Sequence, residues 1–219
     1  MEEGLRERKK RETRQRISDI ATGLFLAHGF DKVTVAEVAR AADVSVNTVF
    51  NYFPAKEDLF LDRTEELQGL LAQVVLRRRP GESAIEAVRR DFFAALDADG
   101  WRYGVDEGTD TFARVIRESP SLQARLRELE YRREERLARA LAEETGGDPD
   151  DMRPWLVSAQ ICAAVRTLTR HFAVRRMAGE DTRVIIADLR TYAEMAFGLL
   201  ERGVGDYCVR PADTSPGGP

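Results

Sequence analysis

The segment VNTVFNY, residues 46–52, carries side chains suited to reading the edges of base pairs. Asn47 and Asn51 stand four apart, a spacing that places them on one face of a helix. An asparagine amide can donate to and accept from adenine at once, a contact that discriminates by ~1–3 kcal/mol. Val46 and the Thr48 methyl suit a thymine methyl group. Val49 and Phe53, also four apart, are expected to face a core, with Phe50 largely packed as well. Bond-breaking chemistry has no comparable signature. There is no G-x-S-x-G, Walker loop, G-x-G-x-x-G or H-E-x-x-H, and no acid pairs with an obvious base or metal spacing. We therefore assign no catalytic residue, metal ligand or cofactor, and expect no enzyme. The two histidines, His28 and His171, are read as structural.

A short helix, a turn and a second helix are needed to present such a face. TVAEVARAA, from Thr34, has apolar Val35, Val38, Ala39 and Ala42 at helical spacing. Thr34 is a good N-cap, and Glu37 three residues later completes a capping-box pattern. Asp43-Val44-Ser45 interrupts the pattern, Ser45 can cap the next helix, and that helix must stop ahead of Pro54. This is the helix-turn-helix arrangement, whose second helix enters the major groove.

The stretch from about Arg11 to Phe60 resembles the DNA-binding domain of the tetracycline-repressor (TetR) family. The resemblance rests on an amphipathic helix ending in LFLAHGF, then DKVTVAEVARAADVS, the aromatic run FNYF and AKEDLF. It implies phosphate contacts from Thr34, Ser45, Tyr52 and Lys56, beside base contacts from Val46, Asn47, Thr48 and Asn51. It further implies a homodimer on a palindromic double-stranded operator, and a C-terminal body that releases DNA on binding a small molecule. Many relatives carry lysine and glycine where this chain has Val46 and Asn47, so the operator sequence does not follow by analogy. An architectural DNA-binding protein without a ligand, and a transcriptional activator, remain alternatives.

Charge is distributed in keeping with a polyanionic partner. The net charge is −4, yet residues 5–16 hold seven basic and two acidic residues. A basic first helix on an acidic body would present one end to DNA, although a solvated helix start reads equally well. No apolar run approaches the ~20 residues of a membrane span, and the N-terminus lacks a signal-peptide core, so a cytoplasmic location without membrane contact is expected. Cys162 and Cys208 provide no disulfide framework.

The remaining pattern is helical throughout, which predicts an all-α chain of about nine helices. Residues 1–58 form a three-helix DNA-binding domain, 59–203 a helical ligand-binding and dimerisation domain, and 204–219 a disordered tail. One long helix is expected from Ala55 to Arg79, and an irregular loop from Asp97 to Asp110 with Trp101 and Tyr103 tucked inward. Phe92, Phe93, Trp101, Tyr103, Phe112, Tyr131 and Trp155 are candidate pocket walls. Arg166 shares a helical stripe with Trp155, Ala159 and Cys162, so its guanidinium is expected in an apolar place beside an internal carboxylate or a ligand acid. The last two helices are apolar on several sides, which suggests a four-helix dimer interface through Ile161, Leu168, Tyr192, Ala196 and Leu199.

Overall fold

A computed structural model describes residues 4–98, 101–148 and 150–210, and these residues are helical without a strand. The helices are α1 (Leu5–His28), α2 (Val35–Ala41), α3 (Val46–Tyr52), α4 (Lys56–Phe60), α5 (Asp62–Glu66), α6 (Leu70–Leu76), α7 (Ala84–Asp97), α8 (Thr109–Glu118), α9 (Pro120–Glu144), α10 (Arg153–Met177) and α11 (Thr182–Val204). Short 3₁₀ turns occupy Leu67–Gly69 and Trp101–Tyr103.

Local side chains start several of these helices as the sequence requires. Ser83 accepts from the Glu86 N–H while the Glu86 carboxylate accepts from the Ser83 N–H, a complete capping box for α7. Asp181 caps α11 through the Arg183 N–H, and Asp151 accepts from the Arg153 N–H at the start of α10. The expected helix from Ala55 to Arg79 is broken into α4, α5, a 3₁₀ turn and α6. Leu61 leaves helical geometry between α4 and α5, and weak helix-forming Gly69 closes the tightened turn ahead of α6.

The chain forms two compact units. The first comprises Met1–Glu66 and Thr111–Leu129, so most of α8 and the start of α9 join the helix-turn-helix. Its core contains Ile17, Ala21, Phe25, Phe30, Val38, Val49, Phe53, Leu59 and Phe60, with Val115, Ile116, Leu122 and Leu129. Buried Asp58 on α4 caps its own helix through the Ala55 N–H and accepts from Arg125 of α9 at 2.8 Å.

The second unit comprises Leu67–Asp110 and Glu130–Pro219. Its core packs α7, α10 and α11 around Phe92, Phe172 and Phe197. Arg78 is 3 % exposed and fully engaged, with Glu144, the Val75 carbonyl and the Cys208 carbonyl as partners. Gly205 to Arg210, expected to be disordered, are held in this unit. Besides Arg78 binding Cys208, the Arg210 carbonyl accepts from the Gly81 N–H, and its own N–H donates to Glu82. Residues 211–219 lie outside the described residues. No helix of the described residues is long and apolar enough to cross a membrane.

Candidate nucleic-acid interface

Two caps shape the helix-turn-helix. Thr34 Oγ1 accepts from the Glu37 N–H at 3.2 Å, and the Thr34 N–H donates to the Glu37 carboxylate at 2.7 Å. That backbone hydrogen bond holds the Glu37 carboxyl below its ordinary pKa. Asp43 takes the left-handed conformation at φ 51°, which Asp tolerates better than bulky residues, and turns the chain toward α3. Ser45 Oγ then accepts from the Thr48 N–H at 3.0 Å.

On α3, Val49 and the following Phe53 are wholly buried, as their spacing predicts. Val46, Asn47 and Asn51 stand exposed on the other side. Thr48 is half-buried, and its hydroxyl lies 2.8 Å from Ser45 Oγ, which places it in the cap more than on the open face. Phe50 corrects the sequence expectation: it is 46 % exposed rather than packed. The signal was available, because Phe50 lies three residues beyond Asn47 and shares its face once Val49 and Phe53 point inward.

Two arginines of the basic α1 segment hold α3 and the turn in place. Arg14 Nη1 donates to the Tyr52 carbonyl at 2.6 Å, its guanidinium lies 4.5 Å over the Phe53 ring, and Asp62 anchors its other edge. Arg16 Nη1 donates to the Ala42 carbonyl at 2.7 Å. Each thereby satisfies a carbonyl that a helix C-terminus leaves without an internal partner. Composition counted both simply as positive charge. Arg6, Lys9 and Lys10, nearer the start of α1, are exposed.

The residues matched to phosphate contacts have mixed surroundings. Thr34 and Ser45 are exposed, and Tyr52 is half-buried against the core of the first unit. Lys56 Nζ donates to the Phe30 carbonyl at 2.7 Å and sits 4.3 Å over the Phe30 ring. It therefore ties the loop after α1 to α4, with two ammonium protons left for other partners.

The other predicted sites need more correction. Phe112 is not in the second unit at all; it stacks on Phe60 at 4.7 Å within the first unit. Trp101, Tyr131 and Trp155 are 54, 65 and 38 % exposed, so they do not converge on a cavity. Phe92, Phe93 and Tyr103 do come together, with Phe92 5.0 Å from Tyr103 and 6.4 Å from Phe93. Arg166 is exposed, because the buried face of α10 runs through Val157, Ile161, Cys162, Val165 and Leu168 and turns away from it. For the same reason Ile161 and Leu168 belong to the core of their own chain and are unavailable to a partner. Tyr192 and Leu199 are exposed on α11, and Ala196 is partly buried beside them.

Residues 17–62 match the family of bacterial regulatory proteins, tetR family, and residues 82–204 match the MftR C-terminal domain. The HTH-type transcriptional regulator TcmR of Streptomyces glaucescens is 33 % identical over 176 residues, covering 78 % of each chain. A Mycobacterium tuberculosis chain, MftR, named for mycofactocin biosynthesis transcriptional regulation, is 30 % identical, covering 75 % of this chain and 82 % of its own. Among solved structures, that of a SmeT–triclosan complex superposes with a TM-score of 0.54 at 16 % identity, covering 95 % of this chain and 99 % of the other.

Proposed function

The chain belongs to the TetR family of bacterial regulatory proteins, and from that premise we propose a homodimeric repressor that leaves a palindromic operator when a small molecule binds. It is a DNA-binding transcriptional regulator, and the observation that carries the specific reading is the open face of α3. Val46, Asn47, Phe50 and Asn51 stand exposed on a helix capped by Ser45 and held at its far end by Arg14. Such a helix can enter a major groove with its amides toward base edges while Thr34, Ser45, Tyr52 and Lys56 approach phosphates. The exposed cations at the start of α1 add sequence-independent affinity that salt weakens.

A second copy is supported by an apolar stripe. Val184, Tyr192, Met195 and Leu199 on α11 are 54, 43, 59 and 60 % exposed, and Leu156 and Val174 on α10 are 57 and 52 % exposed. Helical spacing aligns the four α11 residues on one face, which pairing with a second copy would cover. In this reading the first unit reads DNA, and the second dimerises and holds the ligand. That a fold-alike was solved with triclosan supports a small organic ligand for this body. The test is selection of bound fragments from the source genome, followed by gel shifts with small-molecule extracts. Specific palindromic fragments released by an extract support the proposal. Binding without sequence preference points to an architectural role, and specific binding that no extract loosens removes the ligand.

A further inference from the structure

Among the described residues of the second unit, Arg133 and Arg176 each have a buried Nε without a hydrogen-bond partner, and Arg176 donates through Nη1 and Nη2 to the Glu180 and Glu107 carbonyls. Arg133 lies four and eight residues before Leu137 and Leu141 on α9, so it extends the stripe that those two leucines bury in the core. Its Nε is buried and has no hydrogen-bond partner. The groups that act on it electrostatically are the Cys162 thiol of α10, Glu130 of its own helix and the Tyr103 phenol. None of them accepts a hydrogen bond from Nε, and the Tyr103 hydroxyl is itself directed to Asp91 at 2.9 Å. Burial draws the guanidinium pKa down, the direction expected for a cation held out of water.

Arg78 in the same unit shows how this fold treats an arginine that serves structure, with carbonyls and the Glu144 carboxylate placed around it. An arginine cannot escape its cost by deprotonating at neutral pH, so a buried Nε–H without an acceptor is retained at the expense of stability. Beside it the interior is apolar and aromatic, because Phe92 packs on Tyr103 and Cys162 belongs to the same core cluster.

We propose that Arg133 is the anion-recognising residue of a ligand site in the second unit, taking the carboxylate of a small molecule whose remainder is apolar. The inference rests on the small-molecule reading above and deepens it by assigning the chemical class of the ligand. A carboxylate accepts from a guanidinium edge in two parallel hydrogen bonds, which a neutral polar group of the same size cannot match. The apolar remainder would extend along Tyr103 and Phe92. This is one of the two roles that spacing left open for Arg166, the other being a pair with an internal carboxylate, transferred to an arginine of α9.

The full-length protein is titrated calorimetrically with 1-naphthoate and decanoate, and with their uncharged counterparts 1-naphthalenemethanol and decanol. Wild type should bind at least one acid about tenfold or more tightly than its alcohol, and Arg133→Met should erase that preference without weakening the alcohol. Arg133→Lys, which keeps the charge but not the planar fork, should fall between. Without ligand, Arg133→Met should melt no lower than wild type, since it removes a half-buried guanidinium whose Nε–H has no acceptor. Equal binding of acid and alcohol, no binding of either acid, or a ligand-free variant that melts several degrees lower would each overturn the proposal. The operator complex separates this inference from its premise. Arg133-dependent acid binding that leaves DNA bound retains the site and defeats ligand release. Release by a compound to which Arg133→Met remains fully sensitive does the reverse.

Discussion

Arg14 and Asp62, 48 residues apart, form a forked contact in which Nε and Nη2 of the arginine donate to one carboxylate oxygen at 2.9 and 2.7 Å. Asp62 is 2 % exposed, whereas Arg14 is 31 % exposed. Through Nη1 the same guanidinium holds the carbonyl at the end of α3. The aspartate thus orients a clamp on the end of α3.

Replacing Arg14 with alanine leaves the Asp62 carboxylate buried and short of partners. Breaking a buried pair costs ~3–5 kcal/mol, and the partial exposure of Arg14 brings the expected loss to about 2–4 kcal/mol. Operator affinity should fall together with urea stability, and Asp62→Asn should weaken DNA binding although it retains a similar shape. An Asp62→Asn protein with wild-type operator affinity would refute the clamp.

On α3 the amides and the ring should separate in their effects. Asn47→Ala is expected to reduce discrimination between operator and scrambled DNA by ~1–3 kcal/mol with little change in melting. Phe50→Ala should weaken DNA binding while leaving stability within about 0.5 kcal/mol, because nearly half of the ring is already in solvent. Lys56→Met should lower melting, since Nζ caps the Phe30 carbonyl, besides weakening all DNA alike. Fluorescence anisotropy on two duplexes, paired with thermal melts, decides. A Phe50→Ala protein that melts markedly lower would return that residue to the core.

The interface prediction turns on which apolar residues of α10 and α11 are already covered. Met195→Glu with Leu199→Glu should yield a folded monomer in sedimentation and abolish tight operator binding. Ile161→Ala should instead cost about 2–5 kcal/mol of monomer stability, as a cavity in a closed core does. A double variant that remains dimeric would place the interface elsewhere.

Thiol chemistry reports on the second core. Burial pushes the Cys162 thiol up to about 11, with the nearby Arg133 opposing the shift. A raised thiol pKa means that the folded state favours the neutral form. That contribution is complete below the unfolded value of ~8.5 and is lost as pH rises toward 11. Cys162 should therefore resist Ellman's reagent at pH 8 until the protein unfolds, and Cys162→Ala should flatten the alkaline decline in stability. Rapid labelling of Cys162 in the folded protein would show that its thiol is accessible.

What the sequence determined by itself was local. Thr34 with Glu37, Ser45 with Thr48, Ser83 with Glu86 and Asp181 with Arg183 are pairs within three residues of one another. Their geometry is closed by one helical turn, whatever the rest of the chain does. With the apolar periodicity, the Thr34 and Ser45 caps were enough to mark the helix-turn-helix, the all-α class and the amide face of α3. The tertiary structure decided which side of each helix its neighbours cover. Periodicity says that Trp155, Cys162 and Arg166 lie along one stripe, but not that the buried face of α10 leaves Arg166 outside while α9 turns Arg133 inward. Spacing likewise could not assign Phe112 to Phe60, Arg125 to Asp58 or Arg14 to Asp62, because those partners are separated by 48 to 67 residues. Contacts of that range depend on how distant helices pack, and that packing is a property of the whole chain.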